Sequence, residues 1–368
     1  MNLLFSNSCL GYRIVSLALD ESVRDDLLQD GLDVLFVSQD SISILPYNVV
    51  LSIESEKINE LQTCNNFDVF ELTPQGLLRQ IYDNISNDNS FFVTPKCNSN
   101  CVMCPSPDSS RRQPHCTDAS KLIEIAKHIP VTTKHLTITG GEPFMLGMQM
   151  FHFLAFLKAK YYETEFLILT NGRIFAIDKY ALSLKESIPN NTILAIPLHG
   201  SSSSGHDSIT RAYGSFSQTV KGLKNLLRLG IRIELRLVVT KLNADDFLAI
   251  SDLIANEFSQ VEYVCIMAAE MTGNARKNIE KVWLPYSEAF RKIAPAIMNL
   301  VKKGINVRLY NFPLCTVEEE YIALCEKSIS PEKVRFAECC ADCTLRDACG
   351  GVFAGTYLLE RNDLQPIL

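Results

Sequence analysis

The chain has 368 residues, of which 47% are hydrophobic and 21% charged, so it has the composition of a folded chain with a substantial core and not that of a disordered one. A net charge of −7 argues against a molecule-wide nucleic-acid-binding surface, and nucleic acid is not expected as a partner. Thirteen cysteines, an odd count, suit disulfide pairing poorly; with no basic leader and no apolar run of about 18 residues, a cytoplasmic protein without membrane attachment is expected, its thiols free for metal.

Residues 1–88 read as a small separate α+β region. Segments 12–19 and 32–37 are rich in β-branched residues between Asp and Gly turns, and 41–45 alternates polar and apolar, so all three read as strands. Segments 21–29 and 74–85 have the spacing of short helices, and 84–90 is a polar linker. A unit of this kind suits either a peptide-docking module or a brace for the domain that follows.

From residue 91 the pattern alternates strand and helix. Strands are expected at 91–94, 135–139, 166–170, 192–198, 232–239 and 261–267, with helices at 119–128, 149–160, 179–186, 217–229 and 244–258. Six βα units with right-handed crossovers predict an α/β domain over 89–300, a partial (β/α)6 TIM-like barrel. Functional groups then belong at the C-terminal ends of its strands.

The first strand runs into Cys97, Cys101 and Cys104, spaced C-x3-C-x2-C. Three thiolates on so short a loop can hold three irons of a [4Fe-4S] cube and leave the fourth iron open. A zinc knuckle lacking one ligand, or three coincident buried thiols, would give the same spacing. The second strand ends in Gly140-Gly141-Glu142-Pro143, where paired glycines let the backbone approach a ligand and the carboxylate can accept hydrogen bonds from an ammonium group. Thr170 and Asn171 close the third strand, as a ligand edge or as a plain Asn-Gly turn.

After the fourth strand, His199 opens a Ser/Gly-rich stretch, 198–207, that reads as a flexible lid or substrate edge, with His206 and Asp207 as a structural pair. Ser215 is a candidate N-cap for the next helix. Arg232, Glu234 and Arg236 alternate on one face of the fifth strand; facing inward they need partners or a ligand, facing outward they are solvated. The end of the sixth strand, Met267 to Met271, suits a pocket wall or core.

With Gly140–Pro143 lying about 40 residues beyond it, the cysteine loop resembles the signature loop of radical S-adenosylmethionine (SAM) enzymes. The resemblance implies a SAM molecule chelated on the open iron and one-electron cleavage to a 5′-deoxyadenosyl radical, fed by an external one-electron reductant. It implies that Gly140, Gly141, Glu142 and Pro143 take the methionine amino group and that Met103, standing where the family usually has an aromatic, approaches the adenine. Thr170 and Asn171 would lie near ribose and methionine, and His199 near SAM or substrate. Arg236 is the candidate for the SAM carboxylate, since its fork fits that group bidentately.

The tail carries Cys340, Cys343 and Cys349 in C-x2-C-x5-C-G-G, with Cys315 upstream. Four thiolates can saturate one auxiliary iron–sulfur cluster or hold a structural zinc. Cys339 could replace Cys340, and Cys325 could add a ligand; Cys9, Cys64, Cys116 and Cys265 have no metal-type spacing. Residues 301–368 resemble the SPASM or twitch modules that follow radical SAM barrels. Cys101 to Pro105, the His206–Asp207 block and the tail cysteines look most like peptide maturases of His-Xaa-Ser systems. That implies oxidative modification, such as crosslinking, of a ribosomally made peptide substrate. Two alternatives stand beside it: a radical SAM enzyme acting on a small molecule or cofactor precursor, and a non-catalytic iron–sulfur or zinc scaffold, against which the intact Gly140–Pro143 turn speaks.

Overall fold

The computed structural model describes residues 1–5, 11–106, 108–111 and 118–368; Cys9 and Cys116 lie outside them. Strands β1 (Asn2–Leu4), β2 (Arg13–Ala18), β3 (Val34–Val37), β4 (Ile42–Leu45), β5 (Val49–Ser52), β6 (Val69–Leu72) and β7 (Leu77–Tyr82) form one sheet in the order β1-β7-β6-β2-β3-β4-β5. Helices α1 (Glu21–Gln29) and α2 (Ser55–Leu61) accompany it. The expected helix over 74–85 is instead strand β7. Its leucines and isoleucine fit a helical repeat, but the Thr73–Gly76 turn, closed by Gly76 N–H on the Thr73 carbonyl, folds the chain back as a hairpin on β6.

The second sheet is parallel throughout, in the order β15-β14-β13-β12-β11-β10-β9-β8. Its strands are β8 (Ser90–Phe92), β9 (His135–Thr139), β10 (Glu165–Leu169), β11 (Thr192–Pro197), β12 (Arg232–Val239), β13 (Tyr263–Ala268), β14 (Val307–Tyr310) and the two-residue β15 (Cys325–Glu326). The half-barrel expected from the sequence is present, extended by β14 and β15.

The crossovers are made by α3 (Asp108–Arg111), α4 (Ala119–His128), α5 (Met148–Lys160), α6 (Asp178–Ser187), α7 (Ser203–Thr210), α8 (Ser215–Arg228), α9 (Phe247–Glu257), α10 (Gly273–Lys277), α11 (Ile279–Val282) and α12 (Tyr286–Lys302). On α8, Leu223 and Leu226 are buried against the sheet while Lys221 and Lys224 lie outside, the 3.6-residue period of a surface helix. Two further short strands, β16 (Val334–Arg335) and β17 (Val352–Phe353), pair antiparallel near the end of the chain, followed by α13 (Tyr357–Glu360).

The first sheet docks on α4. Ser16 Oγ lies 2.9 Å from His128 Nδ1, and Tyr82 and Thr133 share a hydroxyl hydrogen bond of 2.7 Å. Burial holds His128 well below its usual pKa, at about 4, so it stays a neutral partner. Among the described residues no helix is long and apolar enough to cross a membrane.

The Ser/Gly-rich stretch after β11 is not a flexible loop. Ser202 caps α7 by accepting from Gly205 N–H, and the second half of the stretch, from Ser203 on, is helical. Ser215 is not an N-cap either: it is the first residue of α8, and Gly214 stands before it. The capping acceptor comes from Asp207, whose carboxylate takes Gly214 N–H, Phe216 N–H and Ser215 Oγ–H at 2.7–2.8 Å.

Candidate functional site

The C-terminal ends of the parallel strands bring the sequence-identified groups to one edge of the half-barrel, as the fold requires. The Cys97–Cys104 loop follows β8, Gly140–Pro143 follows β9, Thr170 and Asn171 follow β10, and His199 follows β11.

The cysteine loop is held from several sides. Asn100 and Val102 donate their N–H groups to the carbonyls of Thr210 and Ile209 on α7, both at 2.9 Å. Arg173 spans Asn98 O (2.7 Å) and Ser99 Oγ (3.0 Å), while Arg111 reaches Ser99 O and Asn100 Oδ1. Cys97, Cys101 and Cys104 are each partly exposed. Burial pushes the Cys97 thiol up and that of Cys101 to about 12, so a bound metal is needed to keep them as thiolates.

The paired glycines approach protein backbone. Gly141 N–H donates to Thr94 O at 2.6 Å and Glu142 N–H to Lys96 O at 2.8 Å. A Cβ on Gly141 would stand 2.3 Å from Lys96 O and 2.5 Å from Pro95 O. The turn is thus bonded to Thr94 and Lys96, on the stretch that leads into Cys97.

Glu142 is 3% exposed, and both oxygens of its carboxylate accept hydrogen bonds. Oε1 accepts from Thr170 Oγ1 (2.7 Å) and Phe144 N–H (3.1 Å), and Oε2 from Asn171 N–H (2.6 Å). Burial raises its pKa and these three donors oppose the rise. Thr170 and Asn171 therefore orient Glu142, and the Asn171 amide continues to Asn98 Oδ1 at 2.6 Å. Pro143 is buried and opens the short turn Pro143–Leu146.

Met103 is buried in an apolar cluster with Val102, Ile209, Met271 and Val282, and Ala269 belongs to the same cluster. His199 is buried; its N–H donates to His206 Nδ1 at 3.1 Å and its own Nδ1 has no partner among the described residues. Burial and the neighbouring His206 hold its pKa at about 3, so the ring is neutral.

Glu234 is fully buried, which places the alternating charges of β12 inward beyond Arg232, itself paired with Glu262. Glu234 Oε1 takes Arg236 Nε–H at 2.5 Å and Oε2 takes Tyr263 O–H at 2.8 Å. The Arg236 side chain remains 20% exposed.

Cys315, Cys340, Cys343 and Cys349 line one small cavity with Leu314, Phe336 and Leu364. Cys349 Sγ accepts from Leu314 N–H (3.5 Å) and Gly351 N–H (3.3 Å), and Cys343 Sγ from Ile367 N–H (3.4 Å). N–H donors aimed at sulfur fit thiolates that stay charged in a cluster. Cys339 instead turns to Leu364 O and Cys325 to Tyr321 O. Among the described residues no three His, Cys, Asp or Glu side chains gather at the spacing of a single ion, so the four thiols surround a cavity and do not meet at a point.

Asn274 and Asn278 carried no motif in the sequence, yet both hydrogen-bond the cysteine loop. A glycine followed by two asparagines at helical i,i+4 spacing was the available signal.

Residues 91–254 match the Radical SAM superfamily. Two GTP 3′,8-cyclases are similar in sequence. That of Helicobacter pylori (strain ATCC 700392 / 26695) is 29% identical over 190 residues, covering 48% of this chain and 54% of that protein. That of Petrotoga mobilis is 27% identical over 155 residues, covering 40% and 46%. The chain thus spans about half the length of the curated relatives it matches. Among solved structures, Streptococcus suis SuiB bound to S-adenosylmethionine superposes with a TM-score of 0.50 at 14% identity, over 77% of this chain and 58% of that one. SuiB is also known bound to precursor peptide SuiA, a structure that superposes with a TM-score of 0.48 at 13% identity over 60% and 47%. At such identity the likeness shows the fold.

Proposed function

We propose that residues 91–254, which match the Radical SAM superfamily, form a radical SAM domain and that the chain is a radical SAM enzyme that oxidatively modifies a ribosomally made peptide. In this reading Cys97, Cys101 and Cys104 hold a [4Fe-4S] cluster, and the Gly140–Pro143 turn receives the methionine end of SAM with Met103, Thr170, Asn171, His199 and Arg236 around it. The group supplies one-electron cleavage of SAM to a 5′-deoxyadenosyl radical, with the electron drawn from an external reductant in a reducing cytoplasm.

The observation that carries the reading is the hydrogen-bonded union of two loops: the Gly141–Glu142 turn is bonded to Thr94 and Lys96, beside Cys97. An isolated metal knuckle has no need of a second strand end locked to it. Residues 1–88, 89–300 and 301–368 serve as N-terminal region, barrel and auxiliary-cluster module. The cavity lined by Cys315, Cys340, Cys343 and Cys349 supports a second, fully ligated cluster able to accept an electron from a substrate radical, which makes the net change oxidative. The resemblance of Cys101 to Pro105, the His206–Asp207 block and the tail cysteines to peptide maturases supports the choice of a peptide.

Anaerobic reconstitution and a SAM-cleavage assay test the first step. Dithionite-reduced protein is expected to release 5′-deoxyadenosine, and the variant with Cys97, Cys101 and Cys104 all changed to Ala to release none. Iron-loaded protein that leaves SAM intact would overturn the proposal. A second reading, action on a small molecule such as a nucleotide, is favoured by the sequence similarity to GTP 3′,8-cyclases. Conversion of GTP by the reduced protein would replace the peptide reading.

A further inference from the structure

The three-cysteine loop is held from behind by a segment that no motif marked. After β13 the chain passes through Met271 and Gly273 into α10. Gly273 has φ +52°, and a Cβ there would stand 2.1 Å from Pro105 O, so only glycine lets the start of α10 come this close to the end of the loop. The contact delivers Asn274, which is 1% exposed. Its main-chain N–H donates to Cys104 O at 2.8 Å. Its side-chain amide donates toward Asn100 Oδ1 (3.0 Å), Cys101 O (3.1 Å) and Asp108 Oδ1 (3.2 Å).

The other end of that amide shows what it is for. Asn274 Oδ1 is buried and has no donor among the described residues. A buried unpaired acceptor is costly, and turning the amide over would be worse, since it would set an oxygen against three oxygens. The side chain is therefore held as a donor to the loop and leaves its own acceptor unmet. Asn278, one turn later on the same face, gives its amide to Val102 O at 3.1 Å and receives Arg211 Nη2 at 2.8 Å. Carbonyls of residues 101, 102 and 104 are thus all fixed from one segment. That segment is anchored at its far end too, where Met271 N–H donates to Thr356 Oγ1, seven residues beyond Cys349.

We infer that Asn274 is a positioning residue for the three-cysteine loop: its side-chain amide fixes the carbonyl of Cys101 and its main-chain N–H that of Cys104, and through them it sets the directions in which the thiols face. This rests on the reading of the loop as a cluster site, but the geometry can be tested without the cluster. Asn274→Asp keeps the shape of the side chain and replaces its donor by an oxygen, so it separates hydrogen bonding from packing.

In metal-free protein, iodoacetamide alkylation of Cys101, followed by mass spectrometry, is expected to accelerate about tenfold in Asn274→Asp, with a smaller change at Cys104, whose carbonyl keeps the main-chain N–H of residue 274. Cys64, between α2 and β6 in the N-terminal region, reports global loosening and is expected to keep its rate. Asn278→Ala, which frees the Val102 carbonyl of the loop and also releases Asn274 O and Arg211, is expected to give a smaller rise at Cys101. In reconstituted protein the same Asp variant is expected to lose iron to a chelator about tenfold faster. A wild-type alkylation rate at Cys101, or an equal rise at Cys64, would overturn the inference. If Asn274→Asp does not fold, Asn274→Ala is compared with Asn278→Ala by the same criteria. Failure of the wild-type chain to take up iron would overturn the cluster reading and leave the alkylation result standing.

Discussion

The main-chain N–H of Gly141 donates to the carbonyl of Thr94 at 2.6 Å. The turn after β9 is thereby bonded to the stretch that feeds the cysteine loop, with no side chain between them. Gly141→Ala would drive a Cβ to 2.3 Å from Lys96 O and 2.5 Å from Pro95 O, both backbone atoms that cannot swing aside. The expected loss is about 1–3 kcal/mol of stability, the usual cost of forcing an extra carbon into a packed contact. SAM affinity should fall as the loop is pushed away. Chemical denaturation and equilibrium dialysis with SAM measure the two effects, and a variant matching wild type in both would show that the approach is looser than drawn.

Glu142→Gln tests whether that carboxylate is a structural acceptor as well as a ligand. Wild-type Glu142 accepts from Thr170 Oγ1, Asn171 N–H and Phe144 N–H. Gln offers one oxygen and points an NH2 group at the remaining donors. A loss of about 1–3 kcal/mol is expected from the mispaired buried donors, read as a lower unfolding midpoint. A purely ligand-binding Glu142 would leave that midpoint unmoved and lower only SAM affinity.

The barrel was legible because each of β9 to β13 is a short apolar run separated from the next by a helical repeat, and parallel buried strands leave that trace. Segment 74–85 misled because Leu77, Leu78 and Ile81 satisfy helical spacing as well as a hairpin strand, and the deciding information lies in the preceding turn. The stretch after β11 misled by composition: serine and glycine read as loop, while Ser202 and Asp207 were acting as caps. Adjacent Cys339 and Cys340 could not be told apart by spacing, since what separates them is the turn that points Cys339 at Leu364 O. Asn274 was invisible because its work is done on carbonyls, which carry no residue identity.

The end of the chain makes stability depend on pH through Glu360. Its side chain is fully buried, with Oε1 accepting from Tyr286 N–H at 3.0 Å and Oε2 unpaired among the described residues. Burial first, and then the carboxylate of Asp363, raises its pKa from 4.5 to about 9, against the opposing pull of the Tyr286 N–H. A carboxyl with a raised folded pKa contributes its full stability below about pH 4.5 and loses it as pH rises toward about 9. Thermal melts from pH 5 to pH 9 should therefore show wild type weakening by at most about 1.4 kcal/mol per pH unit from this group. Glu360→Gln, which mimics the protonated acid, should flatten that slope. Parallel pH profiles for the two proteins would rule Glu360 out as the source.

Iron content discriminates among the tail cysteines. Cys343 and Cys349 line the common cavity and take backbone N–H donors on their sulfurs, whereas Cys339 and Cys325 direct their thiols at carbonyls. With about four irons per cube, reconstituted wild type should carry about eight irons per chain, and Cys343→Ala or Cys349→Ala about four. Cys339→Ala and Cys325→Ala should keep the wild-type count. The deletion that matters is one that removes a corner of the cage, because a cube left with three thiolates exposes an iron to solvent and to chelator. Loss of iron in Cys339→Ala would move the fourth ligand by one residue. Zinc in place of the second set of irons, with about four irons remaining, would instead make the tail a structural metal site and remove the electron acceptor on which an oxidative outcome depends.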